Sequence, residues 1–398
     1  MSAPINVILK RGETERIAAG HPWVNARSVD RLTREANDGD VVQVKDHKNR
    51  FLGIGLYNSK SKIRVRLLGR ERRPIDGEFF KERIGAALEH RRRHLPDATA
   101  FRVVNAESDF LSGVIIDKYG DAVVLQTSSL GMDVRKEHIL AAIRGLLNPS
   151  AIVERNDMAS RKFEGLEDAN GVIEGHVDTP LEIEMNGIKF EIDLMGGHKT
   201  GAYLDQQVNY RATAELIART PNARVLDCFS FHGGFGLHAA KAGAKDVLGL
   251  DQSADAIAVA SRNATANGLD LKFEAVNVFD WLKQNTQAKC TELYDAIILD
   301  PPSFTRNRAS VNDALRGYKE IHVRAMKLLK PGGLLVTFCC SHHVDANLFH
   351  AVALDAAFDT RRMLRQVASF TQSPDHPILP AIPETEYLKG FAFEVLKR

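Results

Sequence analysis

The sequence predicts an α/β protein whose C-terminal half is a parallel, helix-covered sheet, preceded by a central α+β block and a small N-terminal β-barrel. Three observations carry this expectation. From about residue 213, short continuous apolar runs alternate with helix-length amphipathic stretches, the pattern of strands buried on both faces. Before residue 74, short runs alternate apolar with polar residues between Gly, Asn and Asp, as in a compact barrel or sandwich. At 398 residues the chain exceeds what one ordinary core supports, so two or three domains are expected.

In chain order, residues 6–9, 40–45, 51–57 and 62–68 read as strands and 13–17 as one short helix. Residues 76–93 read as a helix, because Phe79, Phe80, Ile84, Ala87 and Leu88 recur at helical spacing on one face. Strands follow at 101–104, 113–117 and 122–126, then a helix at 133–147 and a strand at 151–154. Residues 181–184 and 189–192 flank Asn186-Gly187, a dipeptide suited to a tight hairpin. The last block alternates strands at 224–227, 246–251, 271–275, 296–299 and 333–337 with helices at 234–242, 253–267 and 313–329. Lys330-Pro331-Gly332-Gly333 is a stop and turn. The expected domains are therefore 1–74, 75–195 and 196–398.

An apolar fraction of 44% with 26% charged residues is that of an ordinary globular protein. The net charge of +2 argues nothing about nucleic acid, but before Pro74 Lys and Arg outnumber Asp and Glu by about two to one. Arg64, Arg66 and Arg70 are candidate phosphate contacts on that stretch, against the plainer reading of a solvated basic face. The four cysteines, Cys228, Cys290, Cys339 and Cys340, form neither a disulfide framework nor a zinc spacing. The start has no signal-peptide pattern and no run could span a membrane, so a reduced, cytoplasmic setting is expected.

Chemistry concentrates at the predicted C-terminal strand ends, where open α/β sheets bind ligands. Residues 225–236 run from a strand through a glycine turn, Gly233-Gly234-Phe235-Gly236, into a helix. Glycines there let backbone N–H groups approach a ligand closely. The turn lacks both GxGxxG and a lysine, which disfavours dinucleotides and triphosphates. Asp251 ends the next strand, where a carboxylate can accept from ribose hydroxyls, or can cap the following helix. Asp280 follows the third strand and could meet an adenine amino group or act as a cap. With Asp227, this makes three acidic positions suited to an adenosyl ligand without phosphates.

Leu299-Asp300-Pro301-Pro302-Ser303-Phe304 and Phe338-Cys339-Cys340-Ser341 follow two further apolar runs. A carboxylate and a thiol at such positions suit covalent chemistry on an electron-poor pyrimidine. Carbon 5 of cytosine becomes nucleophilic when a thiolate adds to carbon 6. Cys340 suits the thiolate role and Asp300 the group bonding the N3 edge. Cys339 and Cys340 must alternate across the strand, so one is core and the other can face a site. Either could equally be small apolar filling.

The glycine turn with Asp227, Gly233, Gly236, Asp251 and Asp280 resembles the class I S-adenosylmethionine-dependent methyltransferases, where the matching positions hold the cofactor. The wider set of motifs covers residues 197–206, the glycine turn, Asp300-Pro301-Pro302-Ser303-Phe304, Gly317-Tyr318-Lys319, Phe338-Cys339-Cys340-Ser341 and Tyr387-Leu388-Lys389-Gly390-Phe391. Together they resemble the bacterial ribosomal RNA cytosine-5 methyltransferases of the large subunit methyltransferase I type over essentially the whole chain. That resemblance implies an N-terminal RNA-binding PUA domain, which His21-Pro22-Trp23-Val24 resembles, a central α+β domain and a Rossmann-like catalytic domain. It implies S-adenosyl-L-methionine as cofactor, with Tyr203 and Gln206 lining its pocket, Lys199 toward RNA, and Cys340 as nucleophile, although Cys339 stands where the family has serine. It further implies rRNA processing on large-subunit ribosomal RNA, and a homodimer is left open. Asp300-Pro301-Pro302-Ser303-Phe304 also resembles the guanine N2 methyltransferases, which need no thiol, and a non-catalytic RNA-binding assembly factor is the third alternative.

Overall fold

The computed structural model describes residues 4–197, 200–287, 291–305 and 307–398. The chain forms two compact units. One comprises residues 1–183, 192–204 and 374–385, the other 184–191, 205–373 and 386–398.

In the first unit, β1 (Asn6–Leu9), α1 (Glu15–Ala18), β2 (Trp23–Asn25), β3 (Val29–Leu32), β4 (Val41–Lys45), β5 (Phe51–Tyr57) and β6 (Ile63–Gly69) come first. The strands form a six-stranded sheet ordered β2-β6-β5-β4-β1-β3. Val7, Leu9, Val24, Val44 and Val65 fill its core. Strands β2 and β3 escaped the sequence reading: β2 has only three residues, and β3 carries two exposed charged residues, Asp30 and Arg31, at its centre.

Then come α2 (Gly77–His94), β7 (Ala100–Asn105), β8 (Val114–Tyr119), β9 (Ala122–Thr127), α3 (Leu130–Asp133), α4 (Lys136–Leu147), β10 (Ala151–Asn156) and β11 (Ala169–Gly175). Helix α2 starts where Asp76 accepts the Phe79 N–H at 3.2 Å. Its predicted apolar face is buried throughout and packs with β7–β10 of a five-stranded sheet. Arg91, on the same helix, is fully buried. A buried guanidinium needs compensation, and the Asp109 carboxylate accepts from it twice, at 2.5 and 2.6 Å.

The hairpin β12 (Leu181–Met185) and β13 (Ile188–Ile192) turns at Asn186 (φ 52°) and Gly187 (φ 74°). Both positive angles are what a two-residue hairpin requires.

The second unit continues with α5 (Gln207–Ile217), β14 (Arg224–Cys228), α6 (Gly234–Lys241), β15 (Asp246–Asp251), α7 (Ala254–Ala266), β16 (Lys272–Ala275), α8 (Val278–Gln287), β17 (Tyr294–Leu299), α9 (Val311–Leu328), β18 (Leu329–Cys339), α10 (Ala346–Asp359), β19 (Arg362–Thr371) and β20 (Lys389–Lys397). The sheet order is β16-β15-β14-β17-β18-β20-β19. Neighbours from β16 through β18 pair parallel, while β20 runs antiparallel to both β18 and β19. The order reverses between β14 and β17, which makes the crevice beyond their carboxyl ends the natural ligand position. Apolar clusters cover both faces. Leu226, Leu250, Ile297 and Leu335 lie on one, Val225, Val247, Ile298 and Val336 on the other. Strand β18 begins earlier than expected, at Leu329. The predicted Lys330–Gly333 turn survives as an irregularity, since Tyr294 pairs with Leu329 but Ala296 with Leu334.

Among the described residues, no helix is long and apolar enough to cross a membrane, and no group of three His, Cys, Asp or Glu could hold a metal.

Candidate active site

Strand β14 delivers Asp227 into the sheet centre, fully buried. Its Oδ2 accepts the Gly236 N–H at 2.8 Å, and its Oδ1 has no partner among the described residues. Burial pushes this carboxyl up to about 8, with Asp300 and Asp251 adding to the rise and the Gly236 N–H opposing it. The loop to α6 is tightly bent: Phe229 (φ 65°), Phe231 (φ 48°) and Gly233 (φ 86°) all occupy the left-handed region. Bulky residues held there store strain of the kind found at ligand sites. At Gly234 a side chain cannot fit, because a Cβ would lie 2.5 Å from the Tyr210 ring.

Asp251 holds this loop. Its Oδ2 accepts the Phe231 N–H at 3.0 Å and its Oδ1 the Ser253 N–H at 2.9 Å. The capping of α7 falls to Ser253, whose hydroxyl accepts from Ala256 N–H, rather than to Asp251. Asp280 lies exposed in the first turn of α8, not at a strand end. Asn277 precedes it and accepts the Asp280 N–H at 3.2 Å. Asn277 thus caps the start of α8, and Asp280 stands on the helix instead of at the expected strand end.

Asp300 follows β17 directly, and Gln206 Nε2 donates to its Oδ2 at 3.0 Å. Gln206 is buried, and Asn209 orients its amide. Asn209 Nδ2 donates both to the Thr371 carbonyl at 2.9 Å and to Gln206 Oε1 at 2.7 Å. The carbonyl can only accept, so Gln206 must present its amine end to Asp300. Asn209 was missed in the sequence; its one signal is its position one helical turn after Gln206. Asp205 accepts from the Tyr387 hydroxyl at 2.7 Å. Tyr203 is half-buried.

Strands β17 and β18 pair in parallel, Leu299 opposite Thr337, so Asp300 and Cys340 leave neighbouring strand ends. The two thiols part as alternation requires. Cys339 is fully buried with Ile321, Phe349 and Phe391, and burial pushes its thiol up. Cys340 is half-buried on the opposite face, beside Phe338, Tyr387 and Leu388. His342 and His343 are exposed loop residues; the His342 ring lies 5.6 Å from that of Tyr387.

On the N-terminal sheet, Arg66 donates to Glu164 at 2.9 Å, to Ser112 at 3.1 Å and to Glu107 at 3.4 Å. Its charge is spent inside the protein. Arg64 donates to the Asn58 carbonyl at 3.0 Å, and the exposed Arg70 to the Ile17 carbonyl. Trp23 is half-buried and donates to Glu107 at 2.9 Å, so it is not a plain core aromatic. Lys199 and Cys290 lie outside the described residues.

An electrophilic cation fits this set. The partnerless Asp227 oxygen and the nearby Asp251 and Asp300 carboxylates would favour a ligand carrying ammonium and sulfonium groups. Comparison with known proteins agrees. Residues 7–70 match a PUA-like domain and residues 164–381 the S-adenosylmethionine-dependent methyltransferases. A protein of Tolumonas auensis named ribosomal RNA large subunit methyltransferase I is 38% identical over 398 residues, covering 98% of this chain and 99% of its own. One of Aeromonas salmonicida with the same name is 39% identical over 391 residues, covering 96% and 98%. Among solved structures, a Streptococcus mutans protein described as a SAM-dependent methyltransferase shares the fold, with TM-score 0.81 at 21% identity, covering 98% and 99%. A methyltransferase complexed with SAH superimposes equally, with TM-score 0.81 at 22% identity and the same coverage. The fold is α/β, with a PUA-like domain before a Rossmann-like catalytic domain, and the cofactor is S-adenosyl-L-methionine. The chain belongs to the ribosomal RNA large subunit methyltransferase I family of S-adenosylmethionine-dependent methyltransferases.

Proposed function

We propose that this enzyme methylates carbon 5 of a cytosine in large-subunit ribosomal RNA through a covalent adduct with Cys340. The curated relatives named for ribosomal RNA support the substrate class, and the PUA-like residues 7–70 support RNA binding. The observation that carries the chemistry is the pairing of a half-buried thiol with a carboxylate at adjoining strand ends.

When bound, S-adenosylmethionine supplies an electrophilic methyl group. Asp227, Gly233, Gly236, Asp251, Tyr203, Gln206 and the Asn277–Asp280 turn are the proposed cofactor residues. The Cys340 thiolate adds to carbon 6 while N3 takes up a proton from water, which makes carbon 5 nucleophilic. Asp300 bonds the protonated N3 edge, which returns its proton to water on product release. After carbon 5 has gained the methyl, a base removes its proton and the Cys340 sulfur leaves as thiolate. Gln206 donates to Asp300 and fixes the orientation of its carboxyl group. The proposed domains are 1–74, 75–195 and 196–398; Arg64 and Arg70 in the first and Lys199 in the third are proposed RNA backbone contacts. Such contacts position RNA without reading it. A single-stranded or loosely paired cytosine is the expected target, since unpairing costs least there.

RNA carrying 5-fluorocytosine tests this, because fluorine at carbon 5 cannot leave as a proton. A cross-linked peptide containing Cys340 is expected. Full activity of Cys340→Ala would instead direct the assignment to a base N-methyltransferase, such as guanine N2. Absence of methyl transfer to any RNA would favour the assembly-factor alternative.

A further inference from the structure

Helix α9 carries a glycine, Gly317, well inside its span, where a helix favours alanine. Backbone freedom does not explain it, because Gly317 is helical and has no left-handed angle. Space does. A Cβ there would lie 3.2 Å from Cδ2 and 3.5 Å from Cε2 of Phe304, at the end of the Asp300–Phe304 segment. The ring has little room to give way. Its centroid is 4.6 Å from that of Tyr318 and 5.7 Å from that of Phe279. Behind them, the fully buried Tyr318 packs edge-on against Phe349 at 5.2 Å, and Phe279 against Phe229 at 6.1 Å.

The arm between this ring and the sheet is stiff. Strand β17 ends at Leu299, and the rings of Pro301 and Pro302 fix their own φ angles. A residue before proline is confined to extended backbone, which also restrains Asp300 and Pro301. Pro301 is buried, and the Ser303 hydroxyl donates to the Thr305 carbonyl at 2.9 Å. A displacement of the Phe304 ring therefore meets few free torsions before it reaches Asp300.

We propose that Phe304 is a knob seated in a socket of Gly317, Tyr318 and Phe279, and that Phe304 and Gly317 are positioning residues for Asp300. The socket sets how far the Asp300 carboxylate projects beyond β17, and with it where the base edge lies against the methyl donor. The ring is spent on α9 and does not stack on the nucleobase. This rests on Asp300 being the base-edge partner.

Single-turnover transfer of labelled methyl to rRNA is measured for Gly317→Ala, Phe304→Leu and the pair, each also in an Asp300→Asn background. Cofactor calorimetry, RNA filter binding and thermal melting accompany them. Gly317→Ala should slow transfer about tenfold, since displacements well under 1 Å matter at a reacting centre, with cofactor and RNA affinity unchanged. The pair should be faster than Gly317→Ala alone, because leucine leaves room for the added methyl; it also keeps the test readable where the single variant is unstable. In Asp300→Asn, Gly317→Ala should cost less than about twofold. A parent rate in Gly317→Ala overturns the proposal. So does a Phe304→Leu loss indifferent to residue 317, which would assign the ring to the base, or an undiminished Gly317→Ala loss in Asp300→Asn. Full activity of Asp300→Asn alone would instead sink the reading of Asp300, so the two failures are read from different variants.

Discussion

A single residue step decides which sulfur leaves the core. Cys339 and Cys340 are chemically identical neighbours, yet strand alternation places one in the core and the other on the opposite face. Cys339→Ala should therefore retain methyl transfer within a few-fold, whereas Cys340→Ala should lose it by a factor on the order of a thousand or more. Single-turnover transfer of labelled methyl to rRNA measures both. The Asp227 carboxyl gives a pH prediction. It carries a proton below about pH 8 and has no second partner among the described residues. A cationic ligand favours the ionised form, so binding expels the proton. Cofactor affinity should thus rise with pH, by at most about tenfold per unit, and level off near 8. Calorimetry in buffers of different ionisation heat would detect the released proton, and Asp227→Asn should abolish the pH dependence. In the folded protein alone the sign is opposite. The unfolded chain binds fewer protons between the ordinary carboxyl value and about 8, so stability falls as pH rises through that window.

At the scale of elements, local signals worked where the chain alone sets the geometry. The Asn186-Gly187 hairpin and the Asp76-capped α2 needed only backbone preference and periodicity. Helices α5, α8 and α10 and strands β11, β19 and β20 went unread. Strand β19 alternates half-buried with exposed positions, and its partner β20 lies nearly 20 residues further on, so no short-range pattern joins them. Two glycines illustrate how position sets the sign of one substitution. Gly234→Ala should destabilise by about 1–3 kcal/mol, because its Cβ would meet the Tyr210 ring at 2.5 Å. Gly145→Ala, in α4 with nothing within 4 Å, should stabilise by about 0.5–1 kcal/mol. Urea unfolding of both variants reads the contrast.

Across the whole molecule, charge counted in the sequence is not charge available to a ligand. The Arg-rich N-terminal stretch suggested three phosphate contacts, but folding commits Arg66 to Glu107 and Glu164, one of them nearly 100 residues away. Arg64→Ala and Arg70→Ala should each weaken rRNA binding and reduce its salt dependence by about one counterion. Arg66→Ala should instead lower stability, by about 3–5 kcal/mol, since it strands two largely buried carboxylates. Filter binding across salt concentrations and thermal melting separate these effects.

By itself, the sequence determined the layered α/β architecture, the acids Asp227, Asp251 and Asp300 toward the carboxyl ends of their strands and the thiol-bearing motif, because periodicity, turn chemistry and strand-end chemistry act over a few residues. Only the tertiary structure decided that Cys340 rather than Cys339 is half-exposed and that Arg66 is internally paired. It also decided that Gln206 and Asn209 converge on Asp300. Those outcomes depend on which distant strands and helices become neighbours, and hydrogen-bond direction and burial are properties of that neighbourhood, not of any one segment.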